Sequence, residues 1–235
     1  MTAKVAARTG VFLFESPLSS ASWRIRAALV YKSIPFESIV SKQLGNLHKL
    51  TSPPSQIINT AKNEHKLPQY MAMNPSGLVP TLQIDGIFLN QTPSIFEYLE
   101  ETRPMPPLLL SATDPVARAR VRALSSIIMC DTHPIQNLSV LVKISNLRGR
   151  EGRDKEMAKW AIEKGFTAYE KMLASTMGTY SYGDSLTVAD ICLAAQHYNG
   201  VAKYDVDMAP FPLISKVMET VYQHDCISKT HPPKK

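Results

Sequence analysis

Two serines, Ser19 and Ser20, stand just ahead of a run in which Trp23, Ala27, Val30 and Tyr31 fall at helical spacing. Hydroxyls at that point have two uses. They can cap the helix by accepting its first backbone N–H groups, or they can donate to an anion held at the positive end of the helix dipole. A thiolate is such an anion, and it is the reactive form of a thiol whose ordinary pKa is about 8.5. The three cysteines, Cys130, Cys192 and Cys226, all lie in the second half of the chain. A thiol at this helix start must therefore come from outside, with Ser19 and Ser20 donating to sulfur and Arg24 and Arg26 adding positive field. On spacing alone, capping and thiol activation stand level.

Two further positions have the same double character. Pro80 can be a plain proline at the start of a strand. Alternatively, a cis peptide after Val79 would turn the Val79 backbone outward to pair with an extended peptide. Gln91-Thr92 opens another helix, where amide, hydroxyl and helix N-terminus suit a carboxylate. Taken together these features describe a cradle for a tripeptide with a thiol and a carboxylate, and glutathione meets that description.

The elements that must hold these residues follow from pattern. Residues 11–15 read as a strand, 23–31 as a helix entered through hydroxyl residues, and 36–40 as a second strand. Residues 41–68 dissolve into Pro, Ser, Asn and Lys, a long surface loop with room for one short helix. Apolar runs on either side of Asp85-Gly86 read as a hairpin over 78–89. Thr92-Pro93 then starts a helix to 103. The order β-α-β, loop, β-β-α with a proline before the third strand describes a thioredoxin-like domain, residues 1–104. Pro104-Met105-Pro106-Pro107 reads as a linker. An all-helical domain, 111–235, follows, with helices expected over 114–130, 155–172, 188–198 and 212–222. Thr187 and Asp190 form a capping-box variant ahead of the third of these.

Composition narrows the function classes. The 235 residues are 44% hydrophobic and 20% charged, ordinary for a globular chain. No apolar run approaches the roughly 18 residues that span a bilayer, and residues 1–10, read as a frayed end, hold no signal-peptide core. A soluble cytoplasmic protein is expected, with no membrane partner. The net charge of +6 is dispersed; Arg118, Arg120 and Arg122 fan around a helix, so no nucleic-acid partner is expected, although a basic field can draw in a small dianion. The odd cysteine count argues against a disulfide framework, and the six histidines show no ligand spacing, so no metal is expected.

The run from Ser19 to Leu29, SSASWRIRAAL, resembles the signature of zeta-class glutathione transferases, usually S-S-C-x-W-R-V-R-I-A-L. The likeness continues at Asn74-Pro75 to Leu82, at Gln91-Thr92 through Pro104, at Gln136 to Leu141, and from Gly183-Asp184 to Ala189-Asp190. It implies the α+β two-domain glutathione transferase fold and, for most of the class, maleylacetoacetate isomerisation in phenylalanine and tyrosine breakdown. Glutathione adds to the cis double bond, the resulting single bond rotates, and elimination yields fumarylacetoacetate. By resemblance, Ser19 is the main thiol activator and Ser20 its support. Ala21, Ser22, Val79, Pro80, Gln91, Thr92, His133, Asn137 and Ser139 complete the glutathione contacts, and Arg24 and Lys203 face a small anionic electrophile's carboxylate. A homodimer is also implied.

The chain departs from the class at four of these points. Ala21 replaces a cysteine, Thr92 a serine, His133 a glutamine, and Lys203 an arginine, which keeps the charge and loses the bidentate fork. Two other readings stay open. One is a transferase acting on small α-halo acids with the same thiolate, and the other is a transferase-like module with no catalytic role.

Overall fold

In a computed structural model, residues 10–39 and 64–233 are described. Most of the 41–68 loop, the N-terminal segment 1–9 and residue 40 lie outside them. The chain divides into two compact units, Met1–Pro106 together with Thr230–Lys235, and Pro107–Lys229. The division lies between Pro106 and Pro107, and the segment after Lys229 groups with the first unit.

The first unit is built on a four-stranded sheet of order β2-β1-β3-β4, with β1 Phe12–Phe14, β2 Glu37–Ile39, β3 Thr81–Ile84 and β4 Ile87–Asn90. β2 runs parallel to β1, and β3 and β4 run antiparallel to their neighbours. Asp85 and Gly86 both take positive φ, 51° and 79°. That is the two-residue hairpin turn their types favour. Helix α1, Ser20–Tyr31, crosses from β1 to β2 and buries Trp23, Ile25, Ala27, Ala28 and Leu29. Helix α3, Thr92–Thr102, follows β4. Between β2 and β3 comes a short helix, α2, Pro68–Met73, whose Tyr70 and Met73 pack with Phe12, Phe14 and Ile39.

Register decides where the candidate residues emerge. Phe14 at the end of β1 pairs with Thr81 at the start of β3, and Thr81 pairs with Asn90 at the end of β4. The 15–19 turn, Val79-Pro80 and Gln91-Thr92 are therefore delivered to one end of the sheet by three different strands.

The second unit is helical: α4 Pro115–Ser126, α5 Leu138–Leu147, α6 Lys155–Thr176, α7 Val188–Tyr204, α8 Pro212–Val221 and α9 Asp225–Ser228. Helix α4 passes directly into a π-helical turn, Ile127–Thr132. The widened turn leaves the Ile127 carbonyl facing the Thr132 hydroxyl, which donates to it at 2.8 Å. Gly165 of α6 lies against this turn; a Cβ there would stand 2.0 Å from Thr132 Oγ1. The capping box ahead of α7 is complete, with both reciprocal bonds made between Thr187 and Asp190. No helix among the described residues is long and apolar enough to cross a membrane.

Candidate active site

Ser19 is the N-cap of α1. Its backbone is extended, φ −77° and ψ 120°, and its Oγ accepts the Ser22 N–H at 3.2 Å. Both sequence readings of this residue are thus compatible in one side chain. The oxygen caps the helix, and among the described residues the hydroxyl proton is donated to no protein acceptor. By helix geometry the amides of Ser20 and Ala21 have no intrahelical acceptor, and no acidic residue sits in the first turn to offset the dipole. Ser19 is half-buried and Ser20 buried. Ser22 is fully buried, its Oγ accepting the Ser16 N–H at 3.4 Å, so it serves the turn.

The arginines of α1 correct one expectation. Arg26 does not lend free positive charge to the helix start, because its guanidinium is paired with the buried carboxylate of Glu15. It also donates to the Pro17 carbonyl at 3.3 Å and to the Thr230 carbonyl at 3.3 Å. Burial raises the Glu15 carboxyl pKa, against the opposing pull of Arg26 and of the Ser38 hydroxyl, which donates to Glu15 at 2.7 Å. Arg24 is 2% exposed, inside the packed face of α1.

The peptide bond between Val79 and Pro80 is cis, the second of the two readings open for Pro80. Neither the N–H nor the carbonyl of Val79 makes a hydrogen bond among the described residues, so both are available to an extended peptide. The turn around it is fixed from α2. The Tyr70 hydroxyl donates to the Leu78 carbonyl at 2.6 Å, and Asn74 Nδ2 donates to the same carbonyl at 2.8 Å. Both also bond Thr81 Oγ1, at 2.8 and 3.0 Å. Pattern reading missed Tyr70 and Asn74; the Asn74-Pro75 turn dipeptide was the available local signal.

Gln91 takes φ 66° and leads into α3, with Thr92 buried at the first helical position and Pro93 behind it. Ser94 donates back to the Asn90 carbonyl at 2.6 Å, tightening that corner. At the sheet's end there are therefore a hydroxyl with a free proton beside one helix N-terminus, an unpaired Val79 backbone, and a second helix N-terminus. These fit the thiol, the peptide backbone and a carboxylate of glutathione.

Within the helical unit, Asn137 caps α5, its Oδ1 accepting the Ser139 N–H at 3.1 Å and the Ser139 hydroxyl at 2.9 Å. His133 closes the π-helical turn, its N–H donating to the Ile128 carbonyl at 2.9 Å. Gln136, beside Asn137, donates through Nε2 to Gln196 Oε1 at 2.5 Å, a buried tether that sequence reading did not single out. Lys203 lies in the last turn of α7, its ammonium 5.8 Å from the centre of the Tyr198 ring. Arg118 of α4 is spent on the Leu110 carbonyl at 3.0 Å.

Comparison with known proteins identifies the family. Residues 18–102 match the glutathione S-transferase N-terminal domain and residues 140–229 the glutathione S-transferase C-terminal domain. The chain belongs to the glutathione S-transferase family, among its zeta-class members. It is 38% identical over 216 residues to maleylacetoacetate isomerase of Rattus norvegicus, covering 91% of this chain and 88% of the rat protein. A solved bacterial zeta-class maleylpyruvate isomerase superposes with a TM-score of 0.80 at 33% identity, over 94% of this chain and 96% of the other. The Methylobacterium extorquens maleylacetoacetate isomerase, solved with malonate and glutathione bound, gives 0.82 at 30% identity, with 94% and 96% coverage.

Proposed function

We propose that this chain catalyses the glutathione-dependent cis–trans isomerisation of maleylacetoacetate to fumarylacetoacetate. One observation carries the reading. The β1–β3–β4 register brings the Ser19 hydroxyl, the uncommitted Val79 backbone and the α3 N-terminus to one sheet end. The likeness to maleylacetoacetate isomerases supports it, as does the glutathione bound in the Methylobacterium extorquens structure.

When bound, glutathione would supply the sulfur nucleophile for reversible addition to the cis double bond. The protein's part is to hold that sulfur as an anion and to orient its peptide. Ser19 donates its hydroxyl proton toward sulfur, while the α1 amides and dipole favour the charged form. Ser20 and Ala21 present the first-turn backbone, and Val79 pairs with the peptide through N–H and carbonyl. Gln91 and Thr92 hold the carboxylate at α3. Of the helical unit, Asn137, Ser139 and His133 are the polar groups offered to glutathione and Lys203 the charge offered to a small anionic substrate, whereas Arg24, expected beside Lys203, is buried in the packed face of α1 and does not serve that role. Ala21, where the class has cysteine, leaves the hydroxyls of Ser19 and Ser20 as the side-chain donors at the helix start, Ser20 supporting Ser19. The same reading includes a cytoplasmic homodimer, and a monomer in sedimentation would contradict that part.

The decisive experiment measures maleylacetoacetate turnover with and without glutathione for wild type and Ser19→Ala, alongside small α-halo acids. Glutathione-dependent isomerisation that falls by about 10²-fold in the variant is the expected result, the usual loss when a preorganised donor is removed. Activity confined to halo acids, or indifferent to glutathione, would sink the isomerase reading.

A further inference from the structure

The α1 face that buries Trp23 and Arg26 is completed by residues more than two hundred positions away. Trp23 Nε1 donates to Thr230 Oγ1 at 2.9 Å. Arg26 donates to the Thr230 carbonyl at 3.3 Å with the same nitrogen that reaches the Pro17 carbonyl at 3.3 Å. The His231 ring stands edge-on to Trp23, with centroids 5.0 Å apart. Thr230 is 9% exposed and Trp23 1%. The returning segment is thus buried against the helix whose N-cap is Ser19.

The arrangement fixes the N-cap turn from behind. Pro17 lies two residues before Ser19, and Ser19 closes that turn by donating its N–H to the Ser16 carbonyl at 3.0 Å. Arg26 is anchored to Glu15, which in turn accepts from Ser38. The Arg26–Glu15 pair therefore ties the end of β1, β2, the N-cap turn and the segment after Lys229 together. A donor aimed at a developing anion contributes only while its direction is held, because its value comes from preorganisation. Loss of one anchor lets the turn sample other positions and lets the Ser19 hydroxyl rotate away.

We propose that Thr230 is a positioning residue for the thiol site, acting through Trp23 and Arg26 to hold the Ser19 N-cap turn. This rests on Ser19 being the thiol activator. The charged and titratable groups seen in contact with the anchor are Glu15, Arg26 and His231, and Lys229, next in the chain to Thr230, is paired with Asp225. Thr230 itself does not titrate, so its substitution changes geometry without removing a charge.

The test follows bound glutathione by the ultraviolet absorbance of its thiolate against pH, together with the pH profile of kcat/KM. Thr230→Val keeps the shape and removes the acceptor, and Trp23→Phe removes the donor from the other side. Each is expected to raise the apparent thiol pKa and to lower kcat/KM by roughly fivefold to tenfold, the scale of one lost hydrogen bond. Thr230→Ser should restore both. The double variant should be no worse than the poorer single one, since both break one link. A wild-type thiolate titration and pH profile in Thr230→Val, whatever its thermal stability, overturns the proposal. A wild-type chain that forms no glutathione thiolate overturns this proposal and the Ser19 assignment together, so the two failures are distinguishable.

Discussion

The Tyr70 hydroxyl donates to the Leu78 carbonyl at 2.6 Å, so the short helix α2 helps set the shape of the turn leading into Val79-Pro80. Tyr70 is fully buried, and burial pushes its pKa up to about 12, keeping the phenol protonated and able to donate throughout the physiological range.

Tyr70→Phe should therefore weaken glutathione binding more than turnover. The Leu78 carbonyl retains Asn74 as a partner, so the stability cost should stay near 1–2 kcal/mol. Asn74→Ala should cost more, because it removes bonds to Leu78 and Thr81 and an acceptor for Ser76. Urea unfolding beside KM for glutathione would separate the two effects; a KM unchanged in both variants would show that the turn needs no such support.

Asp190 is fully buried and accepts from the Ser181 N–H at 2.7 Å, the Thr187 N–H at 2.8 Å and the Thr187 hydroxyl at 2.9 Å. Burial raises its carboxyl pKa against the pull of these donors. Asp190→Ala strands all three donors and should destabilise the helical unit by about 3–5 kcal/mol. Asp190→Asn keeps the shape and should lose less. Chemical denaturation of both variants would check the order.

Gly165→Ala tests a contact that local propensity would misjudge. Alanine is favoured over glycine in a helix by about 1 kcal/mol, yet its Cβ would stand 2.0 Å from Thr132 Oγ1. The variant should be destabilised by about 1–3 kcal/mol, the range for overpacking. Thr132→Ala in the same chain leaves the Thr132 Cβ at 3.2 Å as the next contact and should recover part of the loss. A stabilised single variant in thermal melts would refute the contact.

His197 is largely buried, its Nδ1 2.9 Å from the Tyr222 hydroxyl, and burial lowers its pKa to about 4. The unfolded chain takes up this proton near pH 6.5 and the folded chain only near 4, so the unfolded state binds more protons in between. The contribution of His197 is intact above about pH 6.5 and is lost as pH falls toward 4. His197→Asn removes the titration. Urea midpoints at pH 7.5 and pH 5 should fall further for wild type than for the variant; equal falls would place the acid sensitivity elsewhere.

The residue order alone determined a good deal. Hydroxyls before a helical run, Asp-Gly between apolar runs and Thr-Pro opening a helix each act within one turn of chain, so their consequences are local and legible. That is why α1, the β3–β4 hairpin and α3 emerge from pattern, and why the Thr187–Asp190 box does too. Helices α2 and α5 do not. The first is only six residues long, and much of its ordering comes from Tyr70 and Met73 packing under β1, a contact that periodicity cannot express. The second offers only Leu141 and Ser145 to the interior, too few to print a stripe. Tertiary structure alone decided that Arg26 is spent on Glu15 rather than lent to the site, and that Thr230 closes the back of α1. It also decided that three strand ends meet at one edge. Those outcomes depend on sheet register and on contacts between residues far apart in sequence, where burial, not neighbouring residues, determines which polar groups must find each other.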